Sequence, residues 1–120
     1  MSLHHRIEHR SGYSLVSLQG DPSLGQFLSF VELMGPETRS WPVARGLFDL
    51  REISTLKSVT DHVAIGQAVA RHLAHMDRIA SLVLPDRATG ISRKEAQGAG
   101  VNLAVFVDEP AAVEWLLGRD

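Results

Sequence analysis

The chain contains no cysteine among its 120 residues. That excludes disulfides and thiolate chemistry, and it removes the ligands on which most structural zinc sites depend. Aromatic residues are scarce, at 6%. No excess of one charge exists either: the formal net charge is −2 and the pI is near 6.3. A chain without a basic surplus lacks the electrostatic footprint of a nucleic-acid binder. Apolar runs such as LAVFV, Leu103 to Val107, are far too short to cross a bilayer. The opening MSLHHRIEHR holds no signal-peptide core. A reducing, cytoplasmic setting fits these absences. Repeats, low-complexity tracts and linker-like stretches are missing as well, so residues 1–120 are expected to form a single domain.

What is present is ordinary for a soluble globular domain, with 44% hydrophobic and 22% charged residues. Arg6 to Arg10, the turn Ser11-Gly12 and YSLVSLQG read as a strand hairpin. Asp21-Pro22 then suits the cap and first turn of a helix. Leu24, Phe27, Leu28, Val31 and Met34 give that helix its inner face, and Gly35-Pro36 reads as its end. VARGLFDL is the next strand, from Val43 to Leu50. A second helix is expected from about Ser58 to Met76, with Val59, Val63, Gly66, Ala70, Leu73 and Met76 inward. RIASLVLP is a buried strand ended by Pro85. Ser92-Arg93-Lys94-Glu95 marks a short third helix by its capping-box pattern. VNLAVFVD is the last strand, and Asp108-Glu109-Pro110 opens a terminal helix carrying Val113, Trp115, Leu116 and Leu117. The order is β-β-α-β-α-β-α-β-α. After the hairpin, strands alternate with helices, which predicts a mixed, largely parallel five-stranded sheet.

The hydroxyl-rich stretch LFDLREISTLKSVTDHV, Leu47 to Val63, holds the main candidate site. It passes from strand to helix through Ser54, Thr55 and Ser58. Ser58-Val59-Thr60-Asp61 is a capping box, reason enough for a serine there. A phosphate on Ser58 would also meet the free amides and positive end of the helix dipole, beside Lys57. Asp49 lies near the carboxyl end of its strand, the edge where open α/β sheets place ligands. It can anchor a pocket, or simply pair with Arg51 or Arg87. The first helix is apolar on more than one side: Phe27, Phe30, Val31 and Met34, with Phe30 and Leu33 falling outside its main stripe. Such a face suits a small apolar ligand, a homodimer or, less readily, a membrane surface. Six histidines are present, but His5 and His9, or His72 and His75, complete no metal-binding motif, and no metal is expected. Arg87, Arg93 and Lys94 in PDRATGISRKEAQGAG can meet an anion, although the glycine spacing fits neither a P-loop nor a dinucleotide fingerprint. There is no nucleophile elbow and no marked pair of carboxylates.

This order of elements resembles the SpoIIAA-like family, relatives of the STAS domains of anti-sigma-factor antagonists. The residues that carry the likeness are GDPSLGQFLSFVELM after the hairpin, LFDLREIS as central strand and corner, and VFVDEPAAVEWLL at the end. It covers nearly the whole chain. The resemblance implies helices packed on a mixed sheet, no catalytic machinery, no cofactor, and partner switching through a phosphorylated serine at the strand-to-helix corner. By position Ser58 is similar to that serine. Two places depart from the family pattern, Lys57 where an acidic or small polar residue is usual and Val59-Thr60 in place of serine-glycine, and both count against a working switch. The expectation is therefore a non-catalytic binding or regulatory domain acting through a protein partner. The alternative is a carrier or membrane-peripheral protein that holds a small apolar or lipid-like ligand.

Overall fold

The computed structural model describes residues 3–87 and 100–118. Five strands form one sheet in the order β1-β2-β3-β4-β5: Leu3–Arg10, Tyr13–Gly20, Arg45–Ile53, Arg78–Leu82 and Leu103–Phe106. β1 and β2 run antiparallel, and the remaining neighbours are parallel. The hairpin closes at Ser11-Gly12, where Gly12 has a φ of +88° that favours glycine. The described helices are α1, Leu24–Arg39, α2, Val59–His72, and α3, Glu109–Leu116. The expected helix at Ser92–Gly100 begins outside the described residues.

Apolar residues on both faces of the strands explain the layering. Val16, Leu18, Phe48, Ile79 and Leu103 join residues of α1 and α2 in one core. Their neighbours Leu15, Leu47, Ala80 and Leu82 point to the other side and meet Ala112 and Leu116 of α3. Strands buried on both faces read as near-continuous apolar runs, as these do.

Three helix boundaries differ from the sequence reading, each for a physical reason. The cap of α1 is Ser23 and not Asp21: Gln26 N–H donates to Ser23 Oγ at 3.2 Å, and Ser23 N–H donates to Gln26 Oε1 at 2.9 Å. Two otherwise unpaired amides are satisfied at once, more than an Asp21 cap alone would do. Secondly, α1 does not stop at Gly35-Pro36 but carries Pro36 inside it and ends at Arg39. Gly35 keeps a negative φ and lets α2 approach, since a Cβ there would stand 3.3 Å from the His72 carbonyl oxygen. Thr38 Oγ1 bonds the Gly35 carbonyl at 3.0 Å within the last turn. Thirdly, α2 ends at His72, with Val69 and Gly66 buried; Val59, expected inside, is 62% exposed because it occupies the first turn.

His75, which the sequence reading set within the second helix, follows its end and ties it to α1. Its Nε2 lies 2.6 Å from Thr38 Oγ1. With the Thr38 proton directed at the Gly35 carbonyl, the neutral imidazole donates from Nε2. Burial first, and then the charge of Arg39, hold the His75 pKa below its ordinary 6.5. The unfolded chain therefore takes up a proton as pH falls through about 6.5, before the folded chain does, and stability is lost on acidification. His75→Gln keeps an N–H donor and removes the titration. Its urea midpoint should fall less than that of the unaltered chain between about pH 7.5 and about pH 5.5.

Candidate functional site

The strand-to-helix corner follows β3 at the carboxyl edge of the sheet. Ser54 N–H donates to the Gly20 carbonyl at 3.0 Å, with Ser54 Oγ on the same oxygen at 3.3 Å. Thr55 Oγ1 donates to the Pro22 carbonyl at 2.6 Å. Both hydroxyls thus tie the corner to the β2–α1 connection. Leu56 adopts a φ of +67°, the left-handed region that side-chain-bearing residues seldom enter. It packs against the larger core, and His62 Nε2 lies 3.0 Å from its carbonyl oxygen. That combination holds the chain in its reversal toward α2. Nothing in the sequence announced it.

Ser58 is exposed and is the N-cap of α2, its Oγ accepting from Asp61 N–H at 3.1 Å. Only the serine half of the box forms. Replacing Ser58 with Ala should cost about 1 kcal/mol, seen as a lower urea midpoint at unchanged slope. Lys57 and Thr60 are exposed beside it.

Asp49 does not join this corner. It lies on the face that carries α3, bound by Arg51: Nε to Oδ1 at 3.0 Å, Nη2 to Oδ2 at 2.9 Å and the Arg51 backbone N–H to Oδ1 at 3.1 Å. Arg51 Nη2 also reaches Glu109 Oε1 at 3.4 Å. Burial pushes the Asp49 carboxyl upward, but the Arg51 hydrogen bonds and charge together outweigh it and hold the pKa below its ordinary 3.8.

A bulge explains this arrangement. Ser17 pairs with Asp49 and Gln19 with Glu52, so Leu18 alone opposes Leu50 and Arg51. Residues three apart in a regular strand would point to opposite faces. The extra residue brings Asp49 and Glu52 together with His4, His5, Arg6, Ser17 and Gln19 around a polar cavity of about 300 Å³. Sequence reasoning singled out only Asp49 and, in another pairing, His5 among these, because no local pattern marks a parallel-strand bulge. Among the described residues, no group of three or more metal-ligating side chains converges.

Phe27, Phe30, Val31 and Met34 come together, and all four are buried. Phe30, expected outside the stripe, is drawn in by the His5 ring, 5.1 Å away, and the Phe27 ring, 6.0 Å away. Leu33 alone of the apolar set stays largely exposed, at 56%. With Phe48, Leu50, Ile65, Val69, Leu73, Ile79, Ser81 and Leu103, the four line an apolar cavity of about 40 Å³. Pockets for drug-sized ligands run to roughly 300–1,000 Å³. The chemistry of an apolar carrier is present, but its volume is not.

The architecture is the SpoIIAA-like α/β fold. The chain is similar to an anti-sigma factor antagonist from Mycobacterium paratuberculosis, with a TM-score of 0.68 and 17% identity over 99% of this chain and 96% of that one. It is also similar to an uncharacterized protein of the DUF3478 family with a SpoIIAA-like fold from Shewanella loihica. There the TM-score is 0.60, with 18% identity over 95% of this chain and 93% of that one. At such identities the likeness is one of fold. No protein-family model matches the chain, and no curated protein does. No helix among the described residues is long and apolar enough to cross a membrane.

Proposed function

We propose that the chain is a non-catalytic regulatory module that binds a protein partner at the carboxyl edge of its sheet. One observation carries this reading. Among the described residues the exposed large hydrophobics are Leu33, Val59, Leu84 and Val107, and the last three stand at that edge. Val59 opens α2 beside Ser58, while Leu84 and Val107 follow β4 and β5. Apolar side chains gathered at one end of a domain, rimmed by Lys57, Asp61 and Asp108, suit a protein surface. The fold shared with an anti-sigma factor antagonist supports a protein partner. Phosphate on Ser58 would add charge at the centre of the same edge and bias the binding. The alternative, a carrier of a small apolar or lipid-like ligand, would need α1 and α2 to part, since the cavity between them holds about 40 Å³.

The test is capture from the chain's own host with the unaltered protein and with Val59→Glu and Val107→Glu as baits. Both positions are exposed, so both variants should keep the unfolding midpoint. A stoichiometric protein partner is expected on the unaltered bait and is expected to be lost from the variants. A partner retained by both variants, or a bound small apolar molecule in native mass spectrometry with no protein partner, would overturn the reading.

A further inference from the structure

β1 is an edge strand of eight residues, paired to β2 in an unbroken register from Leu3 to Arg10. It has no proline and no bulge, two of the devices that blunt an edge. The two-residue hairpin makes Arg10 and Tyr13 the closing hydrogen-bonded pair, so in the ladder to β2 the hydrogen-bonded residues are Arg10, Glu8, Arg6 and His4. Leu3, His5, Ile7 and His9 therefore direct their backbone N–H and C=O groups to the open edge.

We infer that this edge pairs with a second copy of the chain, antiparallel about a two-fold axis at Ile7, to give one continuous sheet. The register follows from the outer face of β1, which reads His4, Arg6, Glu8, Arg10, all exposed. With Ile7 opposite Ile7 of the second copy, Arg6 stands across from the second copy's Glu8, and Glu8 from its Arg6. These are non-hydrogen-bonded positions, where side chains come closest. Moving the axis to Arg6 sets Arg6 against Arg6, and moving it to Glu8 sets Glu8 against Glu8. An axis at His9 pairs Glu8 with Arg10 but overlaps only residues 7–11 and puts Ile7 opposite Ser11. The charges thus oppose the axes at Arg6 and Glu8 and favour the one at Ile7, which also pairs more of the strand than the axis at His9.

Two further features fit the same axis. Glu8 is held by Arg10 of its own chain at 2.6 Å, whereas Arg6 has no ion-pair or hydrogen-bond partner among the described residues. On the other face, Phe30 lies over His5, and Glu37 bonds Trp41 Nε1 at 3.1 Å beside His9. Leu33 falls between Phe30 and Glu37 on α1, and helical spacing turns it away from Gly35, where α2 packs. Its 56% exposure is explained if two α1 helices lie side by side over the axis.

Sedimentation of the unaltered chain from about 1 µM to about 1 mM should show a monomer–dimer equilibrium. Arg6→Glu should raise the dimer Kd about tenfold or more, because two pairs change from attraction to repulsion at once. The swap Arg6→Glu with Glu8→Arg in one chain should restore association, and Leu33→Arg should weaken it. Each variant alters exposed side chains, so the circular dichroism of the monomer should be retained. Its urea midpoint should move only by the small amount that exposed charges beside Asp49, Glu52 and Arg10 contribute. A chain monomeric throughout that range, a dimer indifferent to Arg6→Glu, or failure of the swap to restore it would overturn the inference.

Discussion

Replacing Leu116 with Ala is expected to lower stability by about 3–4 kcal/mol. Leu116 is fully buried, together with Ala112, on the face of the sheet opposite α1 and α2. α3 has eight residues, too few to stay helical without tertiary support. Asp108 caps its start, accepting from Ala111 N–H at 3.3 Å. Its far end is held by cations from the sheet. Arg45 Nη1 donates to the Leu116 carbonyl at 2.7 Å, and Arg78 Nη1 donates to the Trp115 carbonyl. The Arg78 guanidinium also lies over the Trp115 ring, 5.1 Å from its centre. These bonds satisfy terminal carbonyls and place positive charge at the negative end of the helix dipole. Truncating Leu116 leaves a cavity under the helix and removes what fixes those carbonyls against the arginines. Urea unfolding followed by circular dichroism would measure the loss, and Trp115 fluorescence would shift with it. A cost below about 1 kcal/mol would mean that α3 is not integral to the fold.

That dependence was partly legible in the sequence. Asp108-Glu109-Pro110 and the spacing of Val113, Leu116 and Leu117 announce the helix, and the alternation in LFDL and RIASL announces strands covered on both sides. The arginine caps were not legible, because Arg45 and Arg78 lie 71 and 37 residues from the carbonyls they reach. The same limit governs the end of α1. Gly35-Pro36 carries a stop signal, and only the approach of α2 shows why the helix continues. At the start of α1, Ser23-Leu24-Gly25-Gln26 is itself a capping-box pattern, legible in the sequence but passed over for Asp21-Pro22.

At the candidate site, Ser58 as a cap could be read directly from Ser-Val-Thr-Asp. The left-handed Leu56 could not, because leucine gives no local preference for that conformation. Nor could the meeting of Asp49 with Glu52, whose spacing in a plain strand separates them. Helical periodicity placed Phe27, Val31 and Met34 correctly together, but it could not say that β1 lies beneath Phe30. What a sequence states well is periodic, and what it states poorly depends on a neighbour far along the chain.

Gly46→Val should be nearly as costly, at about 3 kcal/mol. A Cβ at Gly46 would stand 3.0 Å from Trp41 Cζ3, 3.1 Å from Phe48 Cε1 and 3.3 Å from Met76 Cε. Gly46 sits inside β3, in register with Ser14 on β2 and Ile79 on β4. The backbone is therefore fixed on both sides and cannot step back. Valine raises strand propensity by up to about 1 kcal/mol, but its branches enter space already filled by the Trp41 ring, which is 93% buried and tilted against Phe48 at 6.3 Å. The penalty should therefore depend on that ring. In a Trp41→Leu background the same valine should cost about 1–2 kcal/mol less, a coupling that a double-mutant cycle reads directly. If the two changes add within about 0.5 kcal/mol, the space at Gly46 is not set by Trp41. Trp41 is also the ring that His9 of β1 meets at 6.0 Å. A displaced Trp41 would thus loosen the edge hairpin as well as the core, and hydrogen exchange at Glu8 and Arg10, whose amides bond β2, should rise in Gly46→Val before exchange in α3 does.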